Sequence, residues 1–181
     1  NERGIIMNTQ NNTVVKLAET ALLAALCYVS FTFLQIKIPV PGGDATSIHI
    51  GNAFCVLAAL LLGGVYGGLA GAIGMGIADI MDPVYITGAP KTFVLKFCIG
   101  LIVGLVAKKW KFGIVPAVIT GIALSFICPA IGTPIGIYVY GGLNGSVSDM
   151  LVMSLVQGGK TIFQASFLRN VASNLIDKIG T

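Results

Sequence analysis

Residues 47–96 read SIHIGNAFCVLAALLLGGVYGGLAGAIGMGIADIMDPVYITGAPKTFVLK, and this stretch decides the class of fold. It holds two glycine-rich apolar segments and the start of a third, with His49, Asn52, Asp79, Asp82, Lys91 and Lys96 at or near their ends. An ionised side chain at the centre of a bilayer costs about 2.5–3.5 kcal/mol even on the gentler insertion scale, so charges in such a setting call for a function. Around this stretch the chain of 181 residues is 55% hydrophobic and only 10% charged, with a mean hydropathy of +0.90. Soluble domains carry about 25% charged residues, so too little polar surface remains here to cover a water-exposed body.

A spanning helix needs about 20 mostly apolar residues. The apolar runs predict an all-α integral membrane protein with six transmembrane helices, over about residues 13–36, 48–62, 66–81, 90–106, 112–138 and 146–177. Residues 1–12 are expected to form a disordered N-terminal tail or an expression remnant, with Met7 as a natural start. Residues 13–181 are expected to form a single six-helix transmembrane domain, which leaves no room for a nucleotide-binding domain. The net charge of +4 does not point to nucleic acid, because the basic residues form no patch with interleaved aromatics. Lys108, Lys109 and Lys111 instead mark a cytoplasmic loop under the positive-inside rule. With Lys16, Arg169 and Lys178 also inside, both termini are expected to be cytoplasmic, and Lys37, Asp44, Asp79, Asp82, Lys91 and Asp149 fall near the outer face.

Small residues recur where helices are expected to meet. Gly63, Gly67 and Gly71 repeat every four residues, as do Gly64, Gly68, Ala72 and Gly76, which describes close helix contact. Ala21 and Ala25 lie four apart on the first helix, and their spacing fits equally a helix packed in its own bundle or a surface for a partner helix. The stretch KIPVPGGDATS is expected to be a loop or a flap over a cavity, since irregular backbone at membrane depth needs protein or water to satisfy it. The four cysteines sit in apolar runs with no CxxC and no histidine at ligand spacing, so no metal site and no disulfide framework is expected. No P-loop follows a strand, so no phosphate cradle is expected either.

The candidate binding residues gather on the outer half. His49 and Asn52 share a face at the start of the second helix, and Asp79 and Asp82 share one at the end of the third. His49 reads either as a packed, satisfied histidine or as a ligand group, and Lys96 either snorkels to the interface or faces a site. On the sixth helix Gln157, Lys160, Thr161 and Gln164 fall within a stripe of about 100°, and such deep polar groups should face the bundle interior. A cavity opening outward under the loops after helices 1 and 3 would bind a small polar solute. An intramembrane enzyme using Asp79 with Asp82, or His49 with Asp79, lacks any supporting motif, and a small-residue channel bundle leaves the Lys160 stripe without a use.

SIHIGNAFCVLAALLLGG, GGLAGAIGMGIADI and APKTFVLKFCIGLIVGLVAK together resemble the substrate-binding S component of energy-coupling factor (ECF) vitamin transporters, of the riboflavin-type family. The resemblance covers nearly the whole chain. Where the family usually shows H-[IL]-G-D, this chain has His49-Ile50-Gly51-Asn52, which removes a negative charge. The resemblance implies a binding subunit and not an enzyme, without a cofactor of its own, in a bacterial cell membrane. Its partners would be a transmembrane coupling subunit (EcfT-like), contacted through Ala21 and Ala25, and two ATP-hydrolysing subunits (EcfA-like) that use the ATP. Import would follow from toppling of the loaded subunit within the bilayer. Within the family it looks most like members that bind hydroxymethylpyrimidine, a thiamine precursor, with pyridoxine-like compounds close in shape and riboflavin or pantothenate as alternatives. Tyr85 and Phe93 would stack on such a ring. His49, Asn52, Asp79, Lys96, Gln157, Lys160 and Gln164 would line the rest of the site.

Overall fold

The computed structural model describes residues 2–39, 45–82, 86–110, 113–141 and 149–180. Among these residues the chain is helical throughout except for one β-hairpin. The elements are α1 (Glu2–Phe33), β1 (Gln35–Pro39), β2 (Ala45–His49), α2 (Gly51–Leu62), α3 (Gly64–Met81), α4 (Ala89–Lys109), α5 (Ile114–Tyr140), α6 (Asp149–Gln157) and α7 (Ile162–Gly180), with a single 3-10 turn at Ile86–Gly88 before α4. Four helices are long and apolar enough to cross a membrane: Thr13–Phe33 within α1, then α3, α4 and most of α5. At 12 residues α2 is shorter, about 18 Å against a hydrocarbon core of about 30 Å. The length and composition of α7 do not single it out as a span, because Arg169, Asp177 and Lys178 interrupt its apolar character.

α3 is the helix on which the first half of the molecule closes. It packs on α4, α1 and α2 at once, and its small residues are divided among the three. A methyl group at Gly67 would overlap the backbone of Ala58 and Ala59 in α2, and one at Gly71 would run into Cys55. On a second face Gly64 and Gly68 meet Gly104 and Gly100 of α4, so that the two backbones touch with no side chain between them. On a third, Gly74 lies against Ala24 and Cys27 of α1. The two glycine repeats expected to mark helix contacts are therefore two separate interfaces of one helix. The buried side chains around them, among them Cys27, Cys55, Met75, Ile99 and Val103, are of moderate size, as such close backbones require.

Two expectations about the connections are corrected. The KIPVPGGDATS stretch is not irregular over its described residues. It forms an antiparallel hairpin with Ile36 opposite Ile48 and Ile38 opposite Thr46, β-branched pairs that suit a pleated surface. The first helix accordingly ends at Phe33, the second begins at Gly51, and α1 reaches back to Glu2 through the residues expected to form a tail.

The expected helix over 146–177 is two helices. α6 stops in a Schellman arrangement, with Gly159 at φ +89°, the Lys160 amide donating to the Leu155 carbonyl (3.1 Å) and the Gly159 amide to the Val156 carbonyl (3.0 Å). α7 then starts with a capping box: the Gln164 amide donates to the Thr161 hydroxyl, and the Thr161 amide donates to the Gln164 side-chain oxygen, both at 3.3 Å.

α5 and α7 form the second large interface. The Asn170 amide donates to the Thr133 hydroxyl (3.1 Å), and the Ser125 hydroxyl donates to the Gly121 carbonyl (2.9 Å) with the Asn174 carbonyl 3.3 Å away. Gly121 in turn lies beside the Lys178 carbonyl. These contacts run α7 antiparallel to α5. They also separate Arg169 from Lys178, with which the sequence grouped it, because Arg169 precedes Asn170 in the half of α7 that meets Thr133 while Lys178 lies beside Gly121.

Candidate functional site

Asn52 is the second residue of α2, and its place is set by Gly51. A methyl group at Gly51 would come within 3.3 Å of the Cys27 carbonyl and of Phe31, and 3.4 Å from the Met75 sulfur, so the helix start is wedged between α1 and α3. This aims Asn52 into the interior, where it is only 6% exposed. Its amide serves two helices at once. The Lys96 Nζ of α4 donates to Asn52 Oδ1 (2.5 Å), and Asn52 Nδ2 donates to Asp177 Oδ2 of α7 (2.7 Å). Lys178 continues the chain, with Nζ 3.4 Å from Asp177 Oδ2 and 3.1 Å from Asn174 Oδ1, and the Asn174 amide donates to the Asn170 carbonyl (2.8 Å). An amide suits this position because it both accepts and donates, whereas a carboxylate would face Asp177 with a like charge.

A second cluster adjoins the first. Asp79, 5% exposed near the end of α3, accepts a hydrogen bond from Thr92 of α4 and lies within the electrostatic reach of Lys91 and Lys96. The Lys91 side chain extends along the glycine face of α5. A methyl group at Gly132 would meet its Cε at 3.4 Å, and one at Gly136 would meet only its Nζ, at 3.8 Å. Arg169, 8% exposed on α7, donates to Asn170 (3.4 Å), whose own amide bonds Thr133 on the same turn of α5. Among the described residues, the interior between α2, α4, α5 and α7 thus holds Lys91, Lys96, Arg169 and Lys178 with Asp79 and Asp177. Asp82, half-buried at the end of α3, adds a third carboxylate beside Asp79.

Of the residues expected to line a site, Asn52, Asp79 and Lys96 converge. His49 ends β2, opposite Gln35 in the hairpin and three residues before Asn52. Tyr85 lies outside the described residues. Phe93 points elsewhere: it is 42% exposed and lines an apolar groove of about 480 Å³ with Ile73, Ile77, Ile80 and Ile86, beside Gly76. Gln157, Lys160 and Gln164 are exposed at the α6–α7 junction, where Gln164 caps a helix, so they do not share the Lys96 cluster. The partners of Lys96 are instead Asn52 and the last turns of α7. Asn170, Asn174, Asp177 and Lys178 recur there at helical spacing, and that periodicity was the available signal. Ala21 and Ala25 both lie on the exposed side of α1, opposite the buried Ala24 and Cys27. No group of histidine, cysteine, aspartate and glutamate side chains able to hold a metal ion occurs among the described residues.

Comparison with known proteins bears on this arrangement. An uncharacterized protein from the gap 3′ region of Pyrococcus woesei is 30% identical over 122 residues, covering 67% of this chain and 78% of that protein. No solved structure matches the chain. The family model described as the ECF-type riboflavin transporter, S component, matches residues 11–181, almost the entire length. With four apolar helices able to span a membrane and a buried polar interior between them, the chain belongs to the ECF-type riboflavin transporter S-component family, and is a membrane-embedded substrate-binding subunit for vitamin transport, not an enzyme.

Proposed function

We propose that this chain captures a small water-soluble vitamin or vitamin precursor at the outer face of a bacterial cell membrane and delivers it inward. Delivery follows the toppling of the loaded subunit in the bilayer, on a transmembrane EcfT-like coupling subunit driven by two EcfA-like ATPases. The chain itself needs no cofactor, and the ATP is used by the partners. The observation that carries this reading is the Asn52 amide joining Lys96 and Asp177 inside an apolar bundle. Burying three polar groups from three helices is expensive, and a protein body that needed only to hold together would be served as well by apolar side chains.

In this reading the chain is one domain with six crossing segments, α1 to α5 and α7, of which α2 is the short one. Both termini are cytoplasmic. Supporting this, Lys16 lies over the Tyr66 ring at the start of α3, Lys108 and Lys109 end α4, and the end of α7 meets the start of α5. These contacts gather the basic ends on one side, as the positive-inside rule asks. Asn52, Asp79 and Lys96 form the core of the site, and His49 and Tyr85 are further candidates by their place in the sequence. The first candidate solute is a heteroaromatic ring with hydroxymethyl groups, such as hydroxymethylpyrimidine or a pyridoxine-like compound, whose hydroxyls match an amide and an ammonium. The second is riboflavin, which the description of the family names.

The test is to purify the chain, denature it and identify released small molecules by mass spectrometry, followed by a thermal-shift panel of vitamins. A released vitamin that also stabilises the chain is the expected result, with about 2.7 kcal/mol added at 100 times its dissociation constant. Release of nothing, together with no stabilisation by any vitamin, would overturn the reading.

A further inference from the structure

We propose that the solute carries an oxyanion, a carboxylate or a phosphate, held between Lys91 of α4 and Arg169 of α7 against the Gly132–Gly136 turn of α5. The inference rests on the reading of the chain as a solute-binding subunit and narrows the chemistry of what it takes. Three observations carry it.

First, two cations from separate helices reach the same turn of α5. Lys91 lies over Gly132 and Gly136, and Arg169 is tied through Asn170 to Thr133 between them. Lys91 and Arg169 lie within electrostatic reach of each other, and an oxyanion between them is attracted by both, in addition to the Asp79 carboxylate that already faces Lys91. Second, the turn provides clearance. The clearance is at Gly136, where a methyl group would touch nothing but the Lys91 ammonium, at 3.8 Å; at Gly132 the Leu95 side chain closes the turn, 3.0 Å from such a methyl. Third, the Asn170 amide donates to the Thr133 hydroxyl (3.1 Å), which leaves the hydroxyl proton of Thr133 and the second amide proton of Asn170 beside the two cations as donors for an oxyanion.

The neighbouring Lys96 lies in a different arrangement, bonded to Asn52 and through it to Asp177. The two clusters therefore divide the work: Asn52 and Lys96 meet the neutral polar edge of the solute, and Lys91 and Arg169 its charge. Asp79, on the Lys91 side, sets how much anionic charge the site accepts, since it already faces both lysines. Within the vitamin class this narrows the first candidate from the uncharged ring to its phosphorylated hydroxymethyl form, and adds solutes that bear a carboxylate.

The experiment measures the affinity of the purified full chain for matched pairs that differ in the anion alone: pantothenate against panthenol, pyridoxine 5′-phosphate against pyridoxine, and flavin mononucleotide against riboflavin. The first pair isolates a carboxylate and the other two a phosphate. In at least one pair the anionic member should bind ten times more tightly or better. Lys91→Gln should weaken that member at least tenfold while shifting the neutral member by less than twofold, and Lys91→Arg should restore most of the loss. Arg169→Gln should act in the same direction, and melting curves establish that each variant is folded. Should Arg169→Gln not fold, Lys91→Gln with its Arg counterpart decides the matter.

Equal or tighter binding of the neutral members overturns the oxyanion while leaving the vitamin-binding role intact, as does unchanged anion affinity in Lys91→Gln. Absence of binding by all six compounds, with no small molecule released on denaturation, overturns the binding role and the oxyanion with it.

Discussion

At the scale of single residues the most consequential group is Asn52. One uncharged side chain joins a cation of α4 to a carboxylate of α7, so it fixes the spacing of helices that are distant in sequence. Asn52→Leu keeps the approximate volume but leaves the Lys96 ammonium and the Asp177 carboxylate without their shared partner. A buried group left unsatisfied costs about 1–3 kcal/mol, and more if charged, so the variant should melt well below the wild type, as detergent-solubilised thermal unfolding will show. A double-mutant cycle of Asn52→Leu with Asp177→Asn should give a coupling of about 0.5–3 kcal/mol, and additive effects would sever the bridge. Lys96→Met should lower affinity for the released vitamin at least tenfold, whereas Lys160→Leu, exposed beside the α6–α7 break, should leave it within twofold. Isothermal titration separates the two outcomes. Lys96 and Asn52 were legible in the sequence because charge and amide stand out against apolar runs. Asp177 and Asn174 were not, since residues near a chain end look solvated until a helix is seen to fold back against the core.

Elements obey a similar division. The five apolar runs from α1 to α5 are visible in the sequence because hydrocarbon demands length and apolarity together, and that demand is hard to mimic by accident. The hairpin was hidden because its strands have five residues each, too short for alternation to outweigh the prolines and glycines that also mark a loop. The break between α6 and α7 is written plainly as Gly158-Gly159 followed by Thr161-x-x-Gln164, a stop and a start, but a polar stripe read at a continuous helical period runs straight over it. The glycine repeats give a direct test at this scale. Gly68→Leu or Gly100→Leu would force apart backbones that touch, and even modest overpacking costs about 1–3 kcal/mol. Both should lower the melting temperature by several degrees or abolish folding, while Gly113→Ala, at a position with nothing within 4 Å, should be neutral.

Across the described residues, the helices enclose Lys96, Asp79, Arg169 and Asp177 and leave a largely apolar exterior, with Lys16, Glu19, Lys108, Lys109 and Lys160 exposed and a run of small side chains on α1. Leu22, Leu26 and Val29 are exposed there beside Ala21 and Ala25. Ala21→Trp or Ala25→Trp should spare vitamin binding and block assembly with the coupling subunit, and an intact complex in a pull-down would remove that surface from the proposal.

The glycine faces of α3 also bear on the order in which the molecule gives way on warming. In a bilayer each helix hydrogen-bonds itself before it packs, so the usual entropic penalty of glycine is already met when α2 and α4 close on it. Backbone-to-backbone contact then freezes almost no rotamers. The α5–α7 side instead immobilises Asn170, Asn174 and Lys178, long or polar groups whose freedom returns with temperature. Amide hydrogen exchange on heating should therefore spread from α7 inward, with the α3–α4 seam the last to open.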